Sequence, residues 1–289
     1  MRKNRILPLI LLFIFHSIQI FGQTENLRKN NQAELEKILG KCAEYCEKLT
    51  HSVLDFVCRE KITEEITNID PRRSEVLEEL SSSTSTRSSV NREGSELNTY
   101  VYDYQMIRKD NLITNRRILL RENGNKKHEE DAQLKIKRFK HQNILFGPIA
   151  LLDIQWQPFY DYKIIRREKV KRDNVVVIEA TPKDTNKSEN PYGKVWIRED
   201  DFSIVKIEWD QRSLPNLDLF EQDAKNFRAR PEIKFNVEYG FEKNGIRFSS
   251  DYSVVETYYR GKTPYFIRSR LFVTYRKYKF FTVESDVKY

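Results

Sequence analysis

The sequence of 289 residues is poor in the residue types from which catalytic and metal centres are built. Beyond the N-terminus its histidines are His51, His128 and His141, which stand at no metal-ligand spacing. The stretch His128-Glu129-Glu130 begins like a zinc-protease helix, but Ala132 stands where the second histidine is required. No nucleophile elbow, phosphate-binding glycine loop or dinucleotide fingerprint is present. We therefore predict a protein that is not an enzyme and that uses no cofactor and no metal.

Long apolar runs are confined to the N-terminus. A basic start at residues 2–5 is followed by an apolar run at 6–15, and Gly22 provides the small residue expected at a signal-peptidase site. A run of ten residues at ~1.5 Å each covers about 15 Å, half of a hydrocarbon core. Residues 1–22 are therefore predicted to be a signal peptide cleaved on export, with an uncleaved anchor as the alternative. We expect 23–289 to form a single soluble domain, periplasmic or secreted.

Positive charge exceeds negative charge, but it is not clustered. The formal net charge is +8, with Lys and Arg interleaved with Asp and Glu. The densest basic runs, Lys135 to Lys140 and Arg166 to Arg172, are short and contain apolar or acidic residues. A nucleic-acid groove needs clustered positive charge with stacking aromatics on one face. We expect no nucleic-acid partner, and a solvated basic surface with some attraction to an anionic membrane surface.

The chain contains three cysteines, Cys42, Cys46 and Cys58. In an oxidising compartment two of them can pair and leave one over. Cys42 and Cys46 stand one helical turn apart, which brings them near each other without ideal disulfide geometry. A bridge from this helix to Cys58 is equally allowed. The remaining alternative is that all three are buried free thiols.

One amphipathic helix is predicted, from Ala33 to Leu49. Its charged residues lie off a single apolar stripe, so the helix needs a surface to lie on. The stripe has three- and four-residue spacings and consists of Leu35, Ile38, Leu39, Cys42, Cys46, Leu49 and Val53.

From residue 56 onward apolar and polar residues mostly alternate with a period of two, which is typical of strands. In the clearest hairpin, residues 192–211, Val205, Ile207 and Trp209 are predicted to share one face. Hairpin-length connections join about eleven such strands, so the sheet is predicted to be antiparallel. A sheet of this size curls and needs a cover. The predicted fold class is mainly β (α+β), a large curved antiparallel sheet or half-barrel covered by one N-terminal amphipathic helix.

Two segments interrupt this alternation. Residues 68–96 are rich in serine and charge and bury too little apolar area to offset their ordering entropy, which predicts a flexible loop. Residues 125–142 are charged and weakly periodic, which indicates a short helix or an exposed excursion.

A curved sheet with a helix across its mouth encloses space that large apolar side chains line. Residues 146–160 are the most apolar and aromatic patch outside the strands and are predicted to form a lid or rim. The alternative is that this patch plugs one end of the core. The candidate cavity or lid residues are Phe146, Ile149, Leu152, Trp156, Phe159, Trp196 and Trp209.

The hairpin Gly193-Lys194-Val195-Trp196-Ile197 … Val205-Lys206-Ile207-Glu208 resembles the lipoprotein-carrier (LolA/LolB-like) superfamily, which includes outer-membrane lipoprotein-sorting proteins. Phe56-Val57-Cys58-Arg59-Glu60 also resembles an N-terminal strand of uncharacterised exported bacterial proteins. The resemblance extends over 35–289 in topology and is specific only in the hairpin. Members bind acyl chains in a half-barrel closed by helices and define the site by shape, so no site residue is transferred.

The resemblance implies a periplasmic, non-catalytic binding protein that shelters an apolar ligand, a lipid or lipoprotein acyl chains. The alternative function is a cell-envelope protein–protein interaction module with a filled core.

Overall fold

The computed structural model describes residues 30–51, 56–68, 94–109, 112–139, 147–184, 191–214 and 217–281. The predicted signal peptide, most of the serine-rich loop and Phe146 lie outside the described residues.

Strands make up most of the described chain, and three helices accompany them. The helices are α1 (30–51), α2 (Gly147–Leu152) and α3 (Leu217–Asn226). The strands are β1 (Phe56–Thr67), β2 (Ser95–Lys109), β3 (Leu112–Glu122), β4 (Asn125–Glu129), β5 (Tyr160–Val170), β6 (Asp173–Pro182), β7 (Gly193–Arg198), β8 (Ile204–Trp209), β9 (Arg230–Glu238), β10 (Phe241–Lys243), β11 (Ile246–Phe248), β12 (Asp251–Arg260) and β13 (Thr263–Phe280).

Eleven strands form one antiparallel sheet in the order β4-β3-β2-β1-β13-β12-β9-β8-β7-β6-β5, and β10 pairs with β11 in a separate ribbon. The strand that comes first in the sequence, β1, pairs with the strand that comes last, β13, and Ile62 stands opposite Val273. The sheet does not close into a barrel, because β4 and β5 stand at its two ends. The predicted antiparallel sheet of about eleven strands is confirmed.

Helix α1 lies against one face of this sheet, which we call the inner face. The apolar stripe predicted from the sequence faces the sheet from Leu35 to Leu49, whereas Val53 lies outside the described residues. The phenolic oxygen of Tyr45 accepts a hydrogen bond of 2.9 Å from the backbone N–H of Arg247. The predicted covering helix is therefore confirmed. Its buried side chains are Leu35, Ile38, Cys42, Tyr45, Cys46 and Leu49.

The alternation in the central hairpin breaks at Val205. Trp196 pairs with Lys206, but the next residue, Ile197, pairs with Ile204, so Val205 is the extra residue of a β-bulge. Val205 packs on the outer face, whereas Ile207 lies in the inner core. The prediction that Val205 shares a face with Ile207 and Trp209 was therefore wrong, because a bulge shifts the period by one residue.

A second cover crosses the inner face beside β1 and β12. The stretch 125–142, predicted as a short helix or an exposed excursion, begins with the exposed strand β4 and ends with 140–142 outside the described residues. Its middle part, 130–139, is neither a helix nor an exposed excursion, since Ile136 and Phe139 are buried in the core. Two fully buried carboxylates hold this segment. Glu64 accepts the backbone N–H groups of residues 137 and 138, and Glu256 accepts the Nε–H of Arg138 at 3.1 Å. The charged segment 130–139 therefore covers the inner face because buried carboxylates of β1 and β12 pair with it.

Candidate functional site: a cleft beside the N-terminal helix

Much of the inner face is filled by the protein's own side chains. Buried residues of α1, α2, α3 and the sheet form one continuous apolar cluster. Leu152 is fully buried in it, Trp209 is 8% exposed, and Ile149 packs against it partly buried. These three candidate residues therefore fill space on the inner face.

Close contact with the sheet fixes the start of α2. A Cβ added to Gly147 would lie 2.6 Å from the Tyr239 hydroxyl, 3.0 Å from Trp209 Cζ2 and 3.2 Å from Ile207 Cδ1. Only a residue without a side chain allows this approach. The glycine in the Gly-Pro pair thus serves packing of α2 onto β8.

Trp156 and Phe159 follow α2 and remain accessible. They are 38% and 57% exposed, and their ring centroids lie 6.0 Å apart. The side-chain amide of Gln157, between them, donates hydrogen bonds to the carbonyls of Leu39 at 3.0 Å and Leu152 at 2.8 Å. This turn therefore joins α2 to the middle of α1 and presents two aromatic rings to solvent.

Trp196 lies on the outer face, away from the other candidates. It packs with Val175 and Val177, and the Nζ of Lys206 lies 4.5 Å from its ring centroid. Its indole N–H donates to the carboxylate of Glu168. Trp196 lies on the outer face because side chains alternate along β7, and its neighbours Val195 and Ile197 face the inner core.

A cleft of about 570 Å³ opens between the N-terminal half of α1 and the sheet, and we call it the α1 cleft. Helix α1, strands β5 and β6, and the turn between β7 and β8 all contribute to it. The lining residues are Asn30, Ala33, Glu34, Lys37, Ile38, Arg167, Val176, Glu199 and Phe202.

The α1 cleft combines an apolar floor with a charged rim. Val176 and Ile38 are buried, whereas Lys37 and Arg167 are exposed. The guanidinium of Arg167 ties the two walls together, since it donates to Glu34 of α1 and, at 2.8 Å, to Glu199 of the turn. An amphiphile with an apolar chain and a polar head matches this arrangement.

Phe202 lines the α1 cleft from a backbone conformation that phenylalanine seldom adopts. Its φ is +58°, in the left-handed region. Two backbone hydrogen bonds hold the turn, from Phe202 N–H to the Arg198 carbonyl at 3.1 Å and from Arg198 N–H to the Ser203 carbonyl at 3.0 Å. Strained residues of this kind gather at binding sites more often than elsewhere.

The three cysteines are buried and free. Burial raises the pKa of the Cys42 thiol from 9.0 to about 12, and burial likewise raises the pKa values of Cys46 and Cys58. Thiols in this state are poor nucleophiles at neutral pH. Across the described ranges, no group of three His, Cys, Asp or Glu side chains is arranged to hold a metal ion. No helix in the described part of the chain is long and apolar enough to cross a membrane.

Sequence reasoning named none of the polar residues of the α1 cleft. Asn30, Glu34 and Lys37 look like an ordinary solvated helix flank, and Arg167 and Glu199 look like surface charges of strands and turns. The one available signal was the short basic run from 166 to 172 in an otherwise mixed sequence.

Comparisons with known proteins bear on the fold. A family model described as an uncharacterized protein matches residues 135–216. A search of curated proteins found no match to this sequence.

Three solved structures are similar at low identity. A putative outer membrane lipoprotein-sorting protein domain from Vibrio parahaemolyticus is 11% identical, with 88% of this chain and 94% of that chain covered and a TM-score of 0.42. A DUF1329 family protein from Desulfovibrio piger is 10% identical, with 86% and 95% covered and a TM-score of 0.40. A LolA superfamily protein from Nitrosomonas europaea is 11% identical, with 85% and 94% covered and a TM-score of 0.34. At these identities the likenesses concern the fold alone.

Proposed function

We propose that this protein is a non-catalytic, exported binding protein that holds the apolar chain of a lipid or of a lipoprotein acyl group in the α1 cleft. The observation that carries the proposal is the make-up of that cleft. Its floor is apolar at Ile38, Val176 and Phe202, and its rim carries two cations, Lys37 and Arg167, and two carboxylates, Glu34 and Glu199. Its volume of about 570 Å³ lies within the ordinary range of small-molecule sites.

The α1 cleft lies where the protein's own side chains do not fill the inner face. Helix α2 packs beside the C-terminal half of α1, where the Cys46 thiol contacts the Pro148 carbonyl at 3.4 Å, so we place the ligand at the N-terminal half. A ligand of one extended chain suits this space better than a bulky one. The seam between α1 and the edge strand β5, bridged by Arg167 and Glu34, would be its entrance.

The expected affinity is modest. Each buried methylene contributes about 0.8 kcal/mol. Eight methylenes would supply about 6 kcal/mol, which corresponds to a dissociation constant of tens of micromolar before ordering costs are subtracted.

The experiment fills the cleft from the helix. Ala33 is exposed and lines the α1 cleft, so Ala33→Trp introduces a large side chain there without disturbing the buried stripe of α1. Glu36→Trp is the matched control, because Glu36 is exposed on the same helix and does not line the cleft. Binding of a fluorescent fatty acid to each purified protein would be measured by titration.

We expect Ala33→Trp to weaken fatty-acid binding at least tenfold and Glu36→Trp to leave it unchanged, with both variants folded by circular dichroism. If Ala33→Trp binds the fatty acid as tightly as the unmodified protein, the α1 cleft is not the site. If native mass spectrometry shows that the unmodified protein neither carries lipid nor takes up fatty acid, the proposed function is wrong.

A further inference from the structure

Strand β5 gives the sheet one long open edge. It contains 11 residues, stands last in the strand order and pairs with β6 alone among the described strands. The strand at the opposite end, β4, has only 5 residues. A long unpaired edge exposes backbone N–H and C=O groups that can pair with another strand.

The β5 edge carries much of the chain's excess positive charge. Residues 160–172 contain six cationic and two acidic side chains, so they hold half of the formal net charge of +8. Lys163, Lys169 and Arg172 are exposed and form no ion pair with any residue that the structure describes. The basic run noted in the sequence thus lies along an open strand edge.

Exposed apolar side chains stand at the N-terminal end of the same strand. Phe159 directly precedes β5 and is 57% exposed, Trp156 is 38% exposed, and Ile154 is 64% exposed. The edge therefore presents two exposed aromatic rings followed by exposed cations on both faces of the strand, Lys163 on the outer face and Lys169 on the inner face.

We infer that the β5 edge binds an extended acidic segment of a partner protein by strand addition. Backbone hydrogen bonds to β5 would supply the ladder, and carboxylates on the two faces of the segment would meet Lys163 on the outer face and Lys169 on the inner face. An apolar residue at one end of the segment would contact Phe159 and Trp156. At ~3.3 Å per residue, the distance from Tyr160 to Lys169 is about 30 Å, so the segment needs about ten residues.

A second copy of this chain fits the edge poorly. Two β5 strands laid side by side would bring the four cations of each strand close to those of the other, and like charges across a strand pair are unfavourable. An acidic strand turns the same charges into attraction. This inference goes beyond the proposed lipid binding, because neither Lys163, Lys169 nor Arg172 lines the α1 cleft.

The test uses the full folded protein and a labelled ten-residue peptide with Glu on both faces, so that one carboxylate reaches Lys163 on the outer face and another reaches Lys169 on the inner face, and with Phe at one end. Fluorescence anisotropy would report binding. Removing two cations with Lys163→Gln and Lys169→Gln is expected to weaken binding about fivefold, as the loss of two exposed ion pairs implies. The matched control, Lys126→Gln with Lys127→Gln on β4, removes the same charge from the other edge and should leave binding unchanged.

Two further arms separate strand addition from other modes. A peptide of the same sequence with alternate backbone nitrogens methylated keeps the charge but loses the ladder, so its binding is expected to disappear. Raising salt from 0.1 M to 1 M shortens the Debye length from ~10 Å to ~3 Å and should weaken binding of the unmethylated peptide. Fatty-acid binding in the α1 cleft should not change in the β5 variant, which keeps the two proposals distinguishable.

Several results would overturn the inference. Equal binding of the methylated peptide would show a purely electrostatic surface. Equal weakening by the β4 control would show that net charge alone acts. Failure of the unmethylated peptide to bind, with or without binding to vesicles of anionic lipid, would exclude strand addition. A salt-resistant dimer that the β5 substitutions disrupt would assign the edge to a second copy of the chain.

Discussion

Replacing Arg138 by methionine should destabilise the protein strongly, because it leaves a buried carboxylate without its cation. Glu256 is 0% exposed on β12 and receives the guanidinium of Arg138 through Nε at 3.1 Å and through Nη2. After the substitution its remaining partners are the hydroxyls of Ser269 at 2.7 Å and Tyr258 at 2.8 Å. Two neutral donors cannot replace the attraction of a buried cation.

The magnitude follows from the burial of both partners. The side chain of Arg138 is 20% exposed and that of Glu256 is 0% exposed. Removing one partner of a buried ion pair costs about 3–5 kcal/mol. In a domain of this size 1 kcal/mol lowers Tm by about 2–4 °C, so Arg138→Met is expected to lower Tm by roughly 6–20 °C.

Arg116→Met provides the matched control. Arg116 also holds residues 130 and 131 of the covering segment through two carboxylates, but its own side chain is 38% exposed and the partner carboxylates are 61% and 72% exposed. Exposed ion pairs contribute little to stability because water screens them. Urea denaturation of both variants, followed by tryptophan fluorescence, should show a large loss for Arg138→Met and a negligible one for Arg116→Met. Similar losses from both variants would refute the assignment of residues 130–139 as a cover held from inside the sheet.

Three further predictions follow from the packing. Gly147→Ala should lower the free energy of unfolding by about 1–3 kcal/mol, because the added Cβ meets Tyr239 and Trp209. In the same denaturation assay, Gly40→Ala on α1 should raise the free energy of unfolding by up to about 1 kcal/mol, because open space surrounds the added Cβ. Burial raises the pKa of the Cys42 thiol from 9.0 to about 12, so as pH rises the unfolded chain loses this proton first and stability should fall between pH 9 and 12. In Cys42→Ala this fall should be shallower by up to about 1.4 kcal/mol per pH unit. An unchanged slope would contradict the burial of this thiol. Trp196→Ala should leave fatty-acid binding unchanged, because this ring lies on the outer face, and a clear loss of binding would place the ligand there.

The sequence predicts well the features that depend on the spacing of apolar residues within one helix or strand. The stripe from Leu35 to Leu49 has helical spacing, and α1 buries it as expected. Alternation with short turns predicts the antiparallel sheet, and the alternating β12 residues 252, 254, 256 and 258 are all buried.

The features that the sequence predicts badly depend on tertiary contacts. A single bulge moves Val205 to the outer face, and no residue type in the hairpin indicates a bulge at this position. Alternation does not identify the partners of the buried carboxylates Glu60, Glu64 and Glu256. These partners are Arg117, Arg138 and backbone N–H groups of the covering segment, all distant in the sequence.

The α1 cleft could not be predicted for a similar reason. Its bridging contact joins Glu34 to Arg167, which are 133 positions apart in the chain. Only the order of strands in the sheet brings β5 beside α1, and alternation within each strand carries no information about that order.

Mapping a photoactivatable fatty acid onto the protein tests the central claim most directly. After illumination and digestion, mass spectrometry would locate the crosslinked residues in the unmodified protein and in Ala33→Trp. The account predicts crosslinks at residues 30–38 and near Arg167, Val176 and Phe202, with a marked decrease in the Ala33→Trp variant. Crosslinks confined to the outer face, or equal labelling of the two proteins, would contradict it.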